Sequence, residues 1–335
     1  LWGIYAILQY PSGRFSDRLS RKTLLVAGLI LLVGGFLTVG LAPTYPLFIL
    51  GAMIVGAGAG LYPTTARAFL SDLYVERRGT AFGLHTASGD VGGIFAAGLA
   101  TLVVAIATWR TAFLPLVVIA VLVAAGFHRW SRESYVVARP ELGIRSTVRR
   151  LFGQRPNRWI LVAFMAFGFS WQASTGFLPT YLQVGKEFTP FVANSAFAVL
   201  FGVGVVIKPI AGWLGDRFRR EYLGIAGLGL AAISLVGIIL GDSPLVVTLS
   251  VVTFSMGLLS YPPVMLAFVM DLFPDSSYGG DLGALRSVYI GFGALGPTYV
   301  GFVAEKISFD VAFAGLIVVL ATGGLVIGSV AKTVT

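Results

Sequence analysis

The chain has 335 residues, of which 56% are hydrophobic and only 12% are Asp, Glu, Lys or Arg, and its formal net charge is +9. A water-soluble domain carries about 25% charged residues, so a mean hydropathy of +0.87 excludes water as the solvent for most of this surface. The absence of Cys excludes disulfides, thiol chemistry and Cys-based metal sites, and the two His, His85 and His128, cannot make a His-rich metal centre.

Apolar runs long enough to cross a bilayer, about 17 to 25 residues each, follow one another along the whole chain. Hydrocarbon offers backbone groups no water, so each run is expected to be a helix. Eleven spans are expected, at roughly 1 to 13, 22 to 41, 46 to 70, 79 to 107, 111 to 128, 158 to 183, 189 to 212, 222 to 240, 245 to 271, 280 to 304 and 309 to 330. The first starts at Leu1, already inside an apolar run and with no initiator Met, which reads as a fragment lacking its first helix.

Between the first and second spans, Gly13, Asp17, Arg18, Ser20, Arg21 and Lys22 make a short charged hairpin. The third span carries Gly56, Gly58 and Gly60, which allow helices to approach, then Tyr62, and ends near Arg67, expected to anchor at the membrane surface. Arg77, Arg78 and Gly79 lead into the fourth span, which holds His85 and Asp90. Asp90 lies roughly 16 Å beyond Gly79, near the middle of a core about 30 Å thick. A charge there costs about 2.5 to 3.5 kcal/mol on insertion scales, so Asp90 is expected to face a cavity or a partner, or to be hydrogen-bonded in helix packing. Gly89 and Gly93 flank it at a four-residue spacing suited to close helix contact, with Gly92 beside them. His85 can titrate near neutral pH or simply pack. Five residues turn a helix by about 500°, so His85 and Asp90 do not share a face.

After the fifth span, Arg129 to Arg158 is the longest polar stretch, with eight Arg and two Glu. Part of it, Ile144 to Leu151, reads either as a solvated linker or as a basic amphipathic helix on the anionic inner leaflet. The sixth span carries Trp171 and Gln172, and the seventh carries Lys208, which either snorkels to the surface or binds an anionic substrate. A second hairpin follows at Gly212, Asp216, Arg217, Arg219 and Arg220. Tyr261 lies in the ninth span, and Gly293, Gly296 and Pro297 in the tenth. Gly291, Gly293 and Gly296 match a dinucleotide fingerprint in spacing only, because no strand precedes them. No phosphate-binding loop and no protease or hydrolase motif is present, so no ATP hydrolysis, no cofactor and no metal is expected.

The two hairpins are copies. Aligning Asp17 with Asp216 also pairs Leu1 with Leu200, Gly3 with Gly202, Gly13 with Gly212, Arg18 with Arg217 and Arg21 with Arg220. Trp109, Arg110 and Phe113 likewise recur as Phe309, Asp310 and Phe313, and Gly89 and Gly92 are matched with Gly293 and Gly296. Of the 24 Lys and Arg, 21 fall on alternate connections and only Arg110, Lys186 and Lys306 on the others. That bias places the hairpins, Arg286 and the C-terminus in the cytoplasm and argues against nucleic acid as the partner of the positive charge. Six spans separate equivalent positions, so the repeats run parallel, a transporter plan with the substrate site between halves.

On Gly13, Asp17, Arg18, Arg21 and Lys22, with Ser20 in place of the usual Gly, and on the degenerate second copy, the chain resembles the major facilitator superfamily of secondary transporters. The resemblance extends over its whole length and implies an all-α membrane protein of two parallel pseudo-symmetric bundles, with 11 of 12 transmembrane helices present. Residues 1–128 would form the N-terminal bundle, 129–157 a cytoplasmic basic linker and 158–335 the C-terminal bundle. In that family the hairpins latch the halves: Asp17 would meet a helix start at about Gly279 to Leu282, Asp216 would meet Arg77, Arg78 or Gly79, and the basic residues would face lipid phosphates. Tyr62, Trp171, Gln172 and Tyr261 fall on helices that line the family's cavity. Gly89 and Gly93 resemble its Gly-rich fifth-helix motif without the usual Pro. Ala52 replaces an Arg often linked to proton coupling, which leaves Asp90 or a residue of the missing first helix as the coupling candidate. The expectation is a monomeric plasma-membrane carrier that moves a small solute by alternating access, with protons as a candidate co-substrate. Export of a small organic molecule in exchange for protons is the first expectation, with uptake by a symporter or uniporter, and a non-transporting sensor on the same scaffold, as the alternatives.

Overall fold

The computed structural model describes residues 2–106, 108–136, 142–274 and 277–334. Leu1 and Arg139, which enter the repeat and the charge count, lie outside the described residues. The described chain is helical, in the order α1 (Trp2–Ser16), α2 (Arg21–Leu41), α3 (Tyr45–Leu73), α4 (Arg78–Ile106), α5 (Phe113–Trp130), α6 (Ile144–Gly153), α7 (Arg155–Thr180), α8 (Pro190–Gly215), α9 (Arg220–Leu240), α10 (Pro244–Leu272), α11 (Tyr278–Gly293), α12 (Leu295–Lys306) and α13 (Phe309–Val334).

Local chemistry sets the boundaries. Ser20 caps α2 by accepting the Thr23 amide hydrogen at 3.1 Å, and Thr189 caps α8 just ahead of Pro190. The tenth expected span is two helices, α11 and α12, meeting at Ala294. Pro297 explains the break, since it has no N–H for the Gly293 carbonyl and its ring crowds that carbonyl. Past Pro179, α7 widens into a single π-helical turn at Tyr181–Gly185. The linker contains α6, whose ten residues extend only about 15 Å, too short to span a bilayer.

Among the described residues, nine helical segments are long and apolar enough to cross a membrane, and α1 and α4 are not among them. Large apolar side chains face outward: Leu122, Ile233 and Leu325 are 66%, 71% and 77% exposed. Such a surface is compatible with lipid and not with water.

The chain divides into two compact units, one of Leu1–Leu73, Gly92–Arg150 and Leu272–Ser287, the other of Tyr74–Val91, Leu151–Asp271 and Val288–Thr335. In the first, α2 packs on α3 and α5, and α1 on α3. A Cβ at Gly58 would stand 2.7 Å from the Gly28 carbonyl oxygen, so the α2–α3 seam depends on these small residues. In the second unit α13 packs on α7 and α9, and α12 on α7. Its Gly227 and Gly257, each 199 positions after Gly28 and Gly58, make the same kind of contact, 2.6 Å for a Cβ at Gly257. The unit boundaries cut α4 and α11 and so differ from a division at the linker. The reason is a set of contacts joining α1 to the start of α11 and α8 to the start of α4.

Candidate functional site

In the first unit, Asp17 follows α1 directly and its carboxylate reaches the first turn of α11. The amides of Gly279 and Gly280 donate to Oδ1 and Oδ2, each at 2.8 Å. These donors are orphans of a helix N-terminus and carry its positive dipole, so a carboxylate is the natural acceptor. Arg21 donates to Asp17 at 3.3 Å, to the Ser16 hydroxyl at 2.6 Å and to Asp72 at 3.2 Å. The Asp17 side chain is 2% exposed. Burial pushes its carboxyl above the ordinary range, opposed by the Gly280 amide, the Arg21 charge and the Gly279 amide. Gly13 permits the approach, because a Cβ there would overlap the Gly279 carbonyl.

The second unit repeats this arrangement. Gly79 and Thr80 donate their amides to Asp216 at 2.7 Å each, and the Thr80 hydroxyl adds 2.6 Å. Arg220 pairs with Asp216 at 3.4 Å and also with Asp271, which takes a further 2.7 Å bond from Arg78. A Cβ at Gly212 would overlap the Gly79 carbonyl. Asp72 and Asp271 escaped the motif-based reading although they share the 199-residue register of the two hairpins.

Two candidates chosen separately from the sequence come together. Lys208 Nζ on α8 donates to Asp90 Oδ2 on α4 at 2.5 Å, with each side chain 9% exposed. Two glycines make room for the pair. A Cβ at Gly204, one turn before Lys208, would stand 2.5 Å from Asp90 Oδ2, and one at Gly83 would overlap the Lys208 carbonyl. Asp90 is about 18 Å along α4 from Arg78, and the burial of both side chains leaves the ion pair only weakly screened.

Gln9, 199 positions before Lys208, holds the matching place in the first unit, where a Cβ at Gly283 would overlap its carbonyl. Its Oε1 accepts from Arg286 Nε at 2.8 Å and from the Thr64 hydroxyl at 2.7 Å, and Arg286 also reaches the Tyr5 hydroxyl at 3.1 Å. Arg286, expected among the surface cations of the cytoplasmic side, is instead 4% exposed. Its place in the eighth position after Tyr278, inside an apolar helix, was the available signal.

The remaining candidates do not join one site. Tyr261 is fully buried against Phe164 and Phe167; Trp171 packs on Phe201; Gln172 donates to the Ile290 carbonyl at 3.0 Å. Tyr62 is half-buried on α3 and His85 half-buried on α4. The expected close contact at Gly89, Gly92 and Gly93 is not seen, since no described atom lies within 4 Å of a Cβ at any of them. Gly293 and Gly296 do pack closely, on Gly168 and Phe169 of α7, and Pro297 lies against Gly176. The true counterparts of α4's contact glycines are therefore Gly279 and Gly283, which answer Gly79 and Gly83. Of the hairpin cations, Arg18 and Arg217 are exposed, Arg217 lying over the Trp213 ring at 3.9 Å. Arg77 is exposed in the turn before α4. Lys22, expected to face lipid phosphate, donates to the Ser131 carbonyl at 3.0 Å and lies over Tyr135. Arg67 is buried, not a surface anchor.

A family model for the Major Facilitator Superfamily matches residues 1–279 and 186–333. The probable sulfoacetate transporter SauU of Cupriavidus necator is 28% identical, over 92% of this chain and 78% of that relative. The glycerol-3-phosphate transporter of Bacillus subtilis is 24% identical, over 93% and 78%. Among solved structures, the E. coli fucose:proton symporter aligns with a TM-score of 0.80 at 18% identity, covering 98% of this chain and 88% of its own. A human organic anion transporter aligns with a TM-score of 0.80 at 17%, covering 97% and 82%.

Proposed function

Because the chain belongs to the Major Facilitator Superfamily of membrane transporters and is not an enzyme, we propose that it carries a small organic anion across the plasma membrane by alternating access, with Lys208 and Asp90 as its charge-handling centre. The 2.5 Å contact between Lys208 and Asp90 inside the apolar segments carries this reading. A buried cation and a buried carboxylate each need a counter-charge. A proton taken by Asp90 neutralises it and leaves Lys208 to attract an anion, so proton and solute enter the pair together and leave together. That order favours uptake with protons over the export in exchange for protons expected from the sequence. The names of the two relatives, one a sulfonate carrier and one a phosphate-ester carrier, fit an anionic solute.

In this reading the apolar segments answer helices 2 to 12 of the family's plan, the bundles are 1–128 and 158–335, and the C-terminus is cytoplasmic. The paired hairpins gate the cytoplasmic side while the buried pair handles charge. The test is counterflow of labelled sulfonates, phosphate esters and carboxylates into proteoliposomes, with a pH gradient applied afterwards. Asp90→Asn should retain counterflow and lose the pH-driven accumulation, whereas Lys208→Gln should lose counterflow at least tenfold. Accumulation with an unchanged pH profile in Asp90→Asn would remove Asp90 from coupling, and no counterflow of any solute by the parent protein would favour a sensor.

A further inference from the structure

The two faces of α6 have different surroundings, and neither belongs to the buried pair. One face is tied to the protein. Thr147 and Leu151 are buried, the Tyr10 hydroxyl donates to the Leu142 carbonyl and to the Thr147 hydroxyl, and Arg150 forks the Asp281 carboxylate at 2.8 Å through both Nε and Nη2. The Ser277 hydroxyl completes Asp281 at 2.8 Å. The bond to Asp281 raises the Arg150 pKa above its ordinary value, outweighing the effect of burial. Arg150 is therefore a fixed charge that holds α6 to the first turn of α11.

The other face is open. Ile144, Val148 and Phe152, at four-residue intervals, are 55%, 48% and 44% exposed and form one apolar stripe. Arg145 and Arg149, both exposed, form a second stripe beside it. Chain connectivity limits how far this face can stand from the bilayer, because Gln154 alone separates α6 from the candidate span that begins at Arg155. An apolar stripe bordered by guanidinium groups at that height is complementary to the boundary between acyl chains and anionic headgroups.

We propose that α6 is an interfacial anchor that binds anionic lipid of the leaflet it lies on. Ile144, Val148 and Phe152 enter the acyl boundary while Arg145 and Arg149 meet headgroup phosphates. Since Arg150 on the same helix holds Asp281, lipid charge reaches the start of α11, the turn that Asp17 also holds. The anchor stands on the exposure and connectivity of α6 and does not depend on the identity of the solute.

These 335 residues contain no Cys, so a spin label introduced through Val148→Cys reports from one place within them. Collision with oxygen and with a water-soluble nickel chelate is measured in vesicles of phosphatidylcholine alone and of phosphatidylcholine with an equal part of phosphatidylglycerol. In the anionic vesicles the label is expected to become oxygen-accessible and nickel-shielded, and high salt should reverse part of the change. Arg145→Gln with Arg149→Gln should weaken this lipid dependence roughly thirty-fold, on the scale of two arginines beside an anionic leaflet, while Arg145→Lys with Arg149→Lys retains it. Equal nickel access in both vesicles would make α6 a solvated linker and overturn the proposal. Shielding that follows protein-to-lipid ratio and ignores lipid charge would assign the face to a second copy and overturn it as well.

Discussion

Asp90 and Lys208 each supply the other a counter-charge where both side chains are buried. Removing one member of a buried pair leaves the other uncompensated and costs about 3 to 5 kcal/mol, whereas replacing both with apolar groups is often neutral or stabilising. Asp90→Ala and Lys208→Met are each expected to lower the thermal midpoint in detergent strongly, and the double variant should recover most of the loss. A double variant whose loss is the sum of the two single losses would mean that the pair contributes nothing as a pair. The sequence already showed that each residue needed a partner, because an ionisable group far from a span's ends is conspicuous. It could not show the pairing, since 118 positions separate the two and no local period links them. Arg286 was legible by the same criterion. It was placed among surface cations because counting charges by loop treats an arginine two turns into a helix as one at its mouth.

At the scale of elements, the hairpin contacts rest on backbone approaching backbone. Gly13→Ala puts a methyl group where the Gly279 carbonyl oxygen stands, so α1 must draw away from α11, at about 1 to 3 kcal/mol for forced overpacking. Gly212→Ala should cost a similar amount against Gly79. Gly34→Ala, with nothing within 4 Å, should be neutral or stabilise by up to about 1 kcal/mol through helix propensity. Thermal unfolding of the three variants checks this, and a tolerated Gly13→Ala would contradict the contact. Helix existence was legible almost everywhere because the spans are long and continuously apolar. The break at Ala294 was missed although Pro297 stood in the sequence, since an apolar run conceals a lost hydrogen bond. The Gly89, Gly92 and Gly93 contact was expected from spacing alone, and spacing does not reveal whether another helix lies opposite.

For the whole molecule, duplication was the most readable property, since Asp17 and Asp216 carry their arginines and glycines along at one offset. Its full extent needed coordinates. Asp72 and Asp271 close the same network in each copy, and Gln9 and Lys208 occupy the same place with different chemistry. If both copies gate the cytoplasmic side, Asp17→Asn and Asp216→Asn should each slow transport and speed maleimide labelling at Tyr62→Cys from that side. Loss of one charge-assisted bond, about 1.5 to 3 kcal/mol, corresponds to roughly tenfold or more in labelling rate, with a larger effect in the double variant. Unchanged labelling and transport in well-expressed protein would confine these residues to anchoring. The meeting of Gly13 with Gly279, and of Gly79 with Gly212, has a further consequence for how such a protein can diverge. A junction made of main-chain atoms is largely indifferent to the side chains around it. The two copies can therefore match there and still differ a few turns deeper, where one holds the neutral amide of Gln9 and the other the charge of Lys208.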